Sequence, residues 1–239
     1  MANEIISLND RQITVNDYFK INFDELYENI QKLAEKDIEL DPSEIVVATG
    51  IVDDWMVRVV GEIRKKQSYM RRFVNTLDPD ANRKDKVKHG LDRDELCTLG
   101  STPGCEKAYD DYTAYEDHID QINREIEDIR QKYNIVGKAL YSPENAELYY
   151  ACQSEIQMKN LELYDINRKR DKAFVKYVSA LSNNKNIKAF VKKGKTFLQE
   201  SDNLIEEATR LGNAARVNLA VKDKNVRETL FQLLDFKIA

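Results

Sequence analysis

Apolar residues recur at alternating steps of three and four along four long segments of the chain, at about 52–77, 108–136, 149–180 and 187–215. A spacing that averages 3.5 residues keeps one apolar stripe facing a partner helix, as in left-handed coiled coils. The pattern therefore predicts four long helices and an all-α fold. A chain of 239 residues is long enough to bury a substantial core between such helices.

The second and third segments predict an antiparallel helical hairpin, because only six residues, Gly137 to Ser142, join them. Counting outward from this turn predicts that Tyr133 faces Tyr149, that Lys159 lies near Ile122, and that Arg170 lies near Tyr112. The pattern fits both a projecting hairpin and one arm of a packed coiled-coil bundle. The candidate seam residues are Tyr112, Tyr115, Ile119, Ile122, Ile126, Ile129, Tyr133, Tyr149, Cys152, Ile156, Leu163, Ile166 and Arg170.

The N-terminal part of the chain predicts different elements. Within 4–19, the stretches IISL and QITV flank Asn9-Asp10-Arg11, which indicates a short β-hairpin or extended arm. A short amphipathic helix is expected at about 23–36. The run Asp41-Pro42-Ser43-Glu44 then combines an N-cap, a proline at the first helical position and a glutamate at the third, which predicts a helix start.

These signals divide the chain into an N-terminal arm with a short helix, 1–41, and a long-helix bundle, 42–239. The bundle is interrupted by an irregular loop at 78–105, which contains two of the four prolines. It is expected to end in a docking helix at 222–239, where apolar residues return at helical spacing. The partner of that last helix is either this chain or another subunit.

Composition supports this architecture and predicts where the protein resides. Charged residues make up 33% and glycines number only 8, which suits helices with narrow apolar stripes and wide solvated faces. We expect neither a signal peptide nor a membrane span, because no apolar run is long enough. The odd, sparse set of Cys97, Cys105 and Cys152 indicates free thiols in a reducing compartment. We therefore expect a cytoplasmic protein, or one assembled into a particle made in the cytoplasm.

Two apparent chemical motifs lack the sequence context that their chemistry needs. Residues 189–196 fit a relaxed phosphate-loop pattern that ends in Gly194-Lys195-Thr196, but no buried strand precedes them and they lie inside a heptad run. His89 with the three cysteines lacks the close cysteine pairing of structural zinc sites. We therefore predict no catalytic residues, no metal site and no cofactor, and a protein that is not an enzyme.

Basic clusters at 64–72, 83–88, 168–172 and 185–195 support an alternative function, a helical nucleic-acid-associated protein. The net charge of −5 and the acidic residues interspersed in some clusters make nucleic acid the less favoured partner. The favoured hypothesis is a non-enzymatic structural or assembly protein that self-associates or joins a larger assembly through protein contacts. This style of sequence suits a virion component, such as a bacteriophage connector, ring or internal protein.

Overall fold

The computed structural model describes residues 4–9, 11–23, 40–81, 90–133 and 146–222. Within these ranges the chain is all-α apart from one small β-hairpin, which confirms the predicted fold class. The elements are β1 Ile5–Leu8, β2 Arg11–Thr14, α1 Val15–Tyr18, α2 Pro42–Leu77, α3 Arg93–Cys97, α4 Glu106–Lys132, α5 Ala146–Asn183 and α6 Lys185–Ala220.

The predicted N-terminal hairpin is present. Strands β1 and β2 pair antiparallel, with Ile5 opposite Thr14 and Leu8 opposite Arg11. The turn passes through Asn9 at a φ of 49°, a left-handed conformation that asparagine tolerates better than most residues. Since an isolated two-stranded hairpin is only marginally stable, the complete burial of Ile6 indicates that contacts beyond the hairpin hold it in place.

The starts and ends of the long helices follow from local sequence signals. Helix α2 begins at Pro42, and the Glu44 carboxylate accepts a hydrogen bond of 3.0 Å from the Asp41 backbone N–H, as the predicted helix start requires. The same helix ends at Leu77, just before Asp78-Pro79, because a residue that precedes proline disfavours the helical conformation.

The segment predicted as an irregular loop contains one short helix, α3. The Asp92 carboxylate accepts a hydrogen bond of 2.8 Å from the Glu95 N–H, and the Glu95 carboxylate accepts one of 3.1 Å from the Asp92 N–H. Five residues are too few to show an apolar period, so only this capping signal marked the helix. The helix predicted at 23–36 and the docking helix predicted at 222–239 lie almost entirely outside the described residues.

Backbone contacts divide the chain into two compact units. The first combines Met1–Thr14 with Leu91–Ala189, and the second combines Val15–Gly90 with Phe190–Ala239. The first unit therefore contains the β-hairpin and the α4–α5 pair, and the second contains α2 and most of α6. The linear division predicted at residue 41 stays a prediction.

In the second unit, α2 and α6 contact each other in antiparallel order. A side chain at Gly194 would overlap the methyl group of Met70, so the helices approach closely at this glycine. One turn away, the buried Gln67 amide donates a hydrogen bond of 2.8 Å to the Ser201 hydroxyl. The Phe190 ring lies 4.9 Å from the ring of Phe73, centroid to centroid. Aromatic packing and polar contacts such as that of Gln67 thus join α2 to α6.

Across the described ranges, every helix falls short of the length and apolarity that crossing a membrane requires.

Candidate interaction surfaces

The structure brings most of the predicted seam residues together between α4 and α5, which pack against each other. One buried cluster contains six of them, Ile119, Ile122, Ile126, Cys152, Ile156 and Ile166. Four more pack against it while partly buried, Tyr115, Ile129, Tyr133 and Leu163. Burying large aliphatic side chains stabilises by about 1.5–3 kcal/mol each, so this inner seam accounts for the pairing of the two helices.

The remaining seam residues lie beyond this cluster. Tyr112 is buried, and its ring centroid lies 5.2 Å from that of Phe174. Arg170 is half-buried and forms ion pairs with Asp171 at 3.1 Å and Glu116 at 3.7 Å. The half-buried Tyr149 packs its ring 5.8 Å from that of its neighbour Tyr150.

The predicted register of the hairpin stays a prediction. The polar contacts between the two helices join residues along the edges of the seam. Tyr133 contacts Glu155, and Lys159 pairs with Glu125, which lies one helical turn from its predicted neighbour Ile122.

Polar contacts along the edges of the seam join the two helices. The Tyr133 hydroxyl donates to the Glu155 carboxylate at 2.5 Å, and the Lys132 ammonium donates to the same carboxylate at 3.1 Å. These hydrogen bonds hold the pKa of Glu155 below its ordinary value. The Lys159 ammonium lies 2.7 Å from the Glu125 carboxylate and lowers its pKa in the same way. Lys132 is exposed and the other groups are half-exposed, so they select the pairing more than they stabilise it.

Sequence reasoning missed the residues that close the base of the hairpin. The Tyr177 hydroxyl is buried and donates a hydrogen bond of 2.6 Å to the Leu96 carbonyl in α3. Burial raises the pKa of Tyr177 far above its ordinary value. The Arg93 guanidinium lies 4.6 Å from the centre of the Phe174 ring. Leu96 precedes Tyr177 by 81 residues in the sequence. A local sequence pattern does not predict a contact between residues so far apart in the chain.

A second apolar stripe runs along the outer face of α5. Its four large side chains are between 63% and 69% exposed. With about 3.6 residues per turn, they project on the side of α5 opposite the inner seam. We call this surface the outer stripe, and its apolar members are Tyr150, Leu161, Tyr164 and Val175.

The outer stripe has the same spacing as the inner seam. The positions 150, 154, 157, 161, 164, 168, 171 and 175 alternate steps of four and three without a break. Met158, also 68% exposed, borders the stripe. The intervening positions are polar, which obscures the period in the sequence, and they are occupied by Ser154, Gln157, Arg168 and Asp171.

Two of the basic clusters are neutralised in part by neighbouring groups. In the cluster 168–172, Lys169 pairs with Asp165 at 2.6 Å and Arg170 pairs with two carboxylates, as described above. In the cluster 185–195, Lys195 contacts the Asp78 carboxylate at 2.6 Å and Lys193 contacts the amide oxygen of Asn16. The cluster 83–88 lies outside the described residues.

In the cluster 64–72, Lys66 is half-buried and pairs with Glu62 at 2.7 Å, whereas three other cations face solvent. Arg64, Lys65 and Arg71 are exposed on one side of α2. Their sequence neighbourhood, 63–77, contains no acidic residue. Within the described ranges, none of these three side chains forms an ion pair. This basic face of α2 is therefore a local concentration of positive charge on a chain whose net charge is negative.

The rejected phosphate-loop match lies entirely in helical backbone. Residues 189–196 belong to α6, whose backbone is continuous from Lys185 to Ala220. A phosphate loop instead needs exposed backbone N–H groups that precede a helix. Among the described residues, no three or more His, Cys, Asp or Glu side chains lie close enough together to hold a metal ion. His89 lies outside those residues.

Comparison with protein-family models, with curated proteins and with solved structures found no match to this chain.

Proposed function

We propose that this protein is a non-enzymatic structural or assembly protein, a helical building block that self-associates within a multi-subunit particle. The observation that supports this proposal is the outer stripe of α5. Single exposed apolar side chains are normal on protein surfaces, whereas an aligned set on one face indicates an interaction site. The stripe extends about 37 Å from Tyr150 to Val175, at about 1.5 Å per residue.

The spacing of the outer stripe favours a helical partner. A stripe with a period of 3.5 residues stays straight only along a helix that winds around another helix. On its inner face the same helix α5 already packs against α4 with this spacing. The outer stripe therefore supports docking of a further helix, which would extend a two-helix hairpin into a larger bundle.

The kind of particle that we propose is a virion component, such as a connector, ring or internal protein of a bacteriophage. This part of the proposal derives from the style of the sequence: long charged helices combined with an N-terminal arm.

The mass of the purified protein, measured by light scattering across a concentration series, tests self-association. We expect a mass that rises above the 27.8 kDa of a single chain and reaches a discrete multiple of it. A mass of one chain at every concentration, up to the limit of solubility, would contradict the proposal.

A second candidate function, nucleic-acid association, is favoured by the basic face of α2. Arg64, Lys65 and Arg71 span about 10 Å along the helix, at about 1.5 Å per residue, which lets them contact neighbouring phosphates. These basic residues do not belong to a motif that recognises bases, so we expect them to bind the sugar-phosphate backbone of the nucleic acid.

Salt dependence of binding to DNA and RNA tests this second candidate. Replacing Arg64, Lys65 and Arg71 together with glutamine should reduce the slope of log K against log salt by roughly two to three, since each phosphate contact contributes about 0.7–0.9. The matched control is Lys169→Gln, because Lys169 is already paired with Asp165. Equal slopes for all three proteins, or no binding at low salt, would exclude the basic face of α2 as a nucleic-acid site.

A further inference from the structure

We infer that the outer stripe of α5 binds the outer stripe of a second copy of this chain, with the two helices antiparallel. The inference rests on the proposed self-association and specifies its partner and its geometry. A contact of this kind is two-fold symmetric, so each copy uses the same surface and the contact closes as a dimer.

The order of apolar and polar positions along the stripe is compatible with its own reversal. With the two-fold axis midway between positions 161 and 164, Leu161 meets the partner's Tyr164, and Tyr150 meets the partner's Val175. The polar positions then meet each other as well, with Gln157 against the partner's Arg168. Each apolar side chain of the outer stripe thus has an apolar counterpart.

The facing positions also have the correct helical geometry. In an antiparallel pair of helices, seam residues that follow a step of four face seam residues that follow a step of three, and α4 and α5 bury such a seam in one cluster. The reversed outer stripe repeats that arrangement, because each position that follows a step of four faces one that follows a step of three. The hairpin therefore provides, within this chain, an example of the packing that we infer between two chains.

Charge selects the antiparallel arrangement over a parallel one. In a parallel pair, Arg168 would face the partner's Arg168 and Asp171 would face the partner's Asp171, which places like charges in direct contact. In the antiparallel pair, these residues face the uncharged Gln157 and Ser154. The repulsion that destabilises the parallel form is absent from the antiparallel one.

Gln157 allows a matched test, because it faces Arg168 only in the inferred dimer. The residues three and four positions away on its own helix are Gln153, Ser154, Asn160 and Leu161, none of which is charged. Glutamate and lysine are both good helix formers. Gln157→Glu and Gln157→Lys therefore change the charge at one exposed site with little effect on the isolated chain, which circular dichroism and urea unfolding at low concentration would verify.

The measurement is the dimer dissociation constant of both variants and of the wild type, by sedimentation equilibrium at low salt. We expect Gln157→Glu to tighten the dimer and Gln157→Lys to weaken it, each by roughly three- to tenfold, the size expected of two exposed, symmetry-related ion pairs. Raising the salt concentration should bring the three constants together.

The possible outcomes distinguish this inference from the proposed self-association on which it rests. If all three proteins associate with equal dissociation constants, or if both substitutions weaken association equally, the antiparallel pairing is wrong and the proposed self-association stands. If the wild type is a monomer at every concentration, both are wrong.

Discussion

The two faces of helix α5 share one spacing and differ in what covers them. The inner face carries Cys152, Ile156 and Ile166, which are buried against α4. The outer face carries Leu161 and Tyr164 at the same 3.5-residue period, and both are more than 60% exposed. A heptad spacing therefore indicates that a helix face is suited to packing, and it does not tell whether the partner lies in the same chain. The exposed face is the one on which we place the contact between copies.

The largest expected difference between the two faces is in thiol reactivity. Cys152 has no exposed surface, and burial raises its pKa, so both accessibility and thiolate content are low. A cysteine introduced by Leu161→Cys would lie on the outer face. At low protein concentration, we expect it to be alkylated at least about a hundredfold faster than Cys152, since opening a core element costs a large part of a typical stability of about 5–15 kcal/mol.

Peptide mass spectrometry of a labelling time course would follow the two thiols separately, with urea-unfolded protein as the control in which their rates converge. Comparable rates in the folded protein would contradict the burial of the inner face.

Truncation of one aliphatic side chain on each face should change the free energy of unfolding by different amounts. Ile156→Ala removes a buried side chain from the inner seam, and we expect it to lower the free energy of unfolding by about 2–4 kcal/mol. Leu161→Ala on the outer face should change it by less than about 0.5 kcal/mol at low protein concentration. Urea unfolding of both variants at one low concentration measures the difference. Equal losses would mean that Leu161 is packed within the monomer.

Removal of one hydroxyl group from each face should give a smaller difference. Tyr177→Phe eliminates the hydrogen bond to the Leu96 carbonyl, which still accepts one of 3.1 Å from the Leu99 N–H, so we expect a cost of about 0.5–1.5 kcal/mol. Tyr164→Phe is the matched control, because the Tyr164 side chain is 67% exposed and water replaces its contacts. Thermal or urea unfolding compares the two variants. If Tyr177→Phe is as stable as the wild type, the contact between α3 and α5 is not part of the stable fold.

The smallest expected effect is the acid dependence of the polar edge of the inner seam. Hydrogen bonds from Tyr133 and Lys132 lower the pKa of Glu155 in the folded protein. A carboxylate with a lowered folded pKa stabilises the protein above its unfolded pKa, and this contribution disappears as the pH falls through the folded pKa. Stability should therefore decrease below the ordinary carboxyl pKa, and Glu155→Gln should reduce that decrease slightly.

Unfolding of the wild type and of Glu155→Gln in urea, at neutral pH and at several acidic values, would show this difference. An identical pH dependence of the two proteins would mean that Glu155 does not couple folding to protonation.

The sequence allowed prediction of the helices and of the inner seam, because both are local periodic features. The residues Ile119 to Ile129 follow one uninterrupted pattern, and the short connection to α5 determines the antiparallel direction. The register stays a prediction, since period alone does not specify how two stripes interleave. The contact between Tyr177 and Leu96 could not be predicted, because the two residues are 81 positions apart and Leu96 lies in α3, which is too short to show an apolar period.

The outer stripe was present in the sequence but was not recognised. Polar residues such as Gln157 and Arg168 occupy half of its positions, so its mean hydropathy is low. Only the structure, by assigning the inner seam to α4, shows that Leu161 and Tyr164 lie on a separate face.

The most direct test of the central claim compares Leu161→Lys with Asn123→Lys, an equal change of charge at an exposed position of α4. Both masses would be measured by light scattering at a concentration where the wild type is associated. If the outer stripe is the contact between copies, Leu161→Lys is monomeric at 27.8 kDa while Asn123→Lys associates like the wild type. Association of Leu161→Lys to the same mass as the wild type would contradict the account.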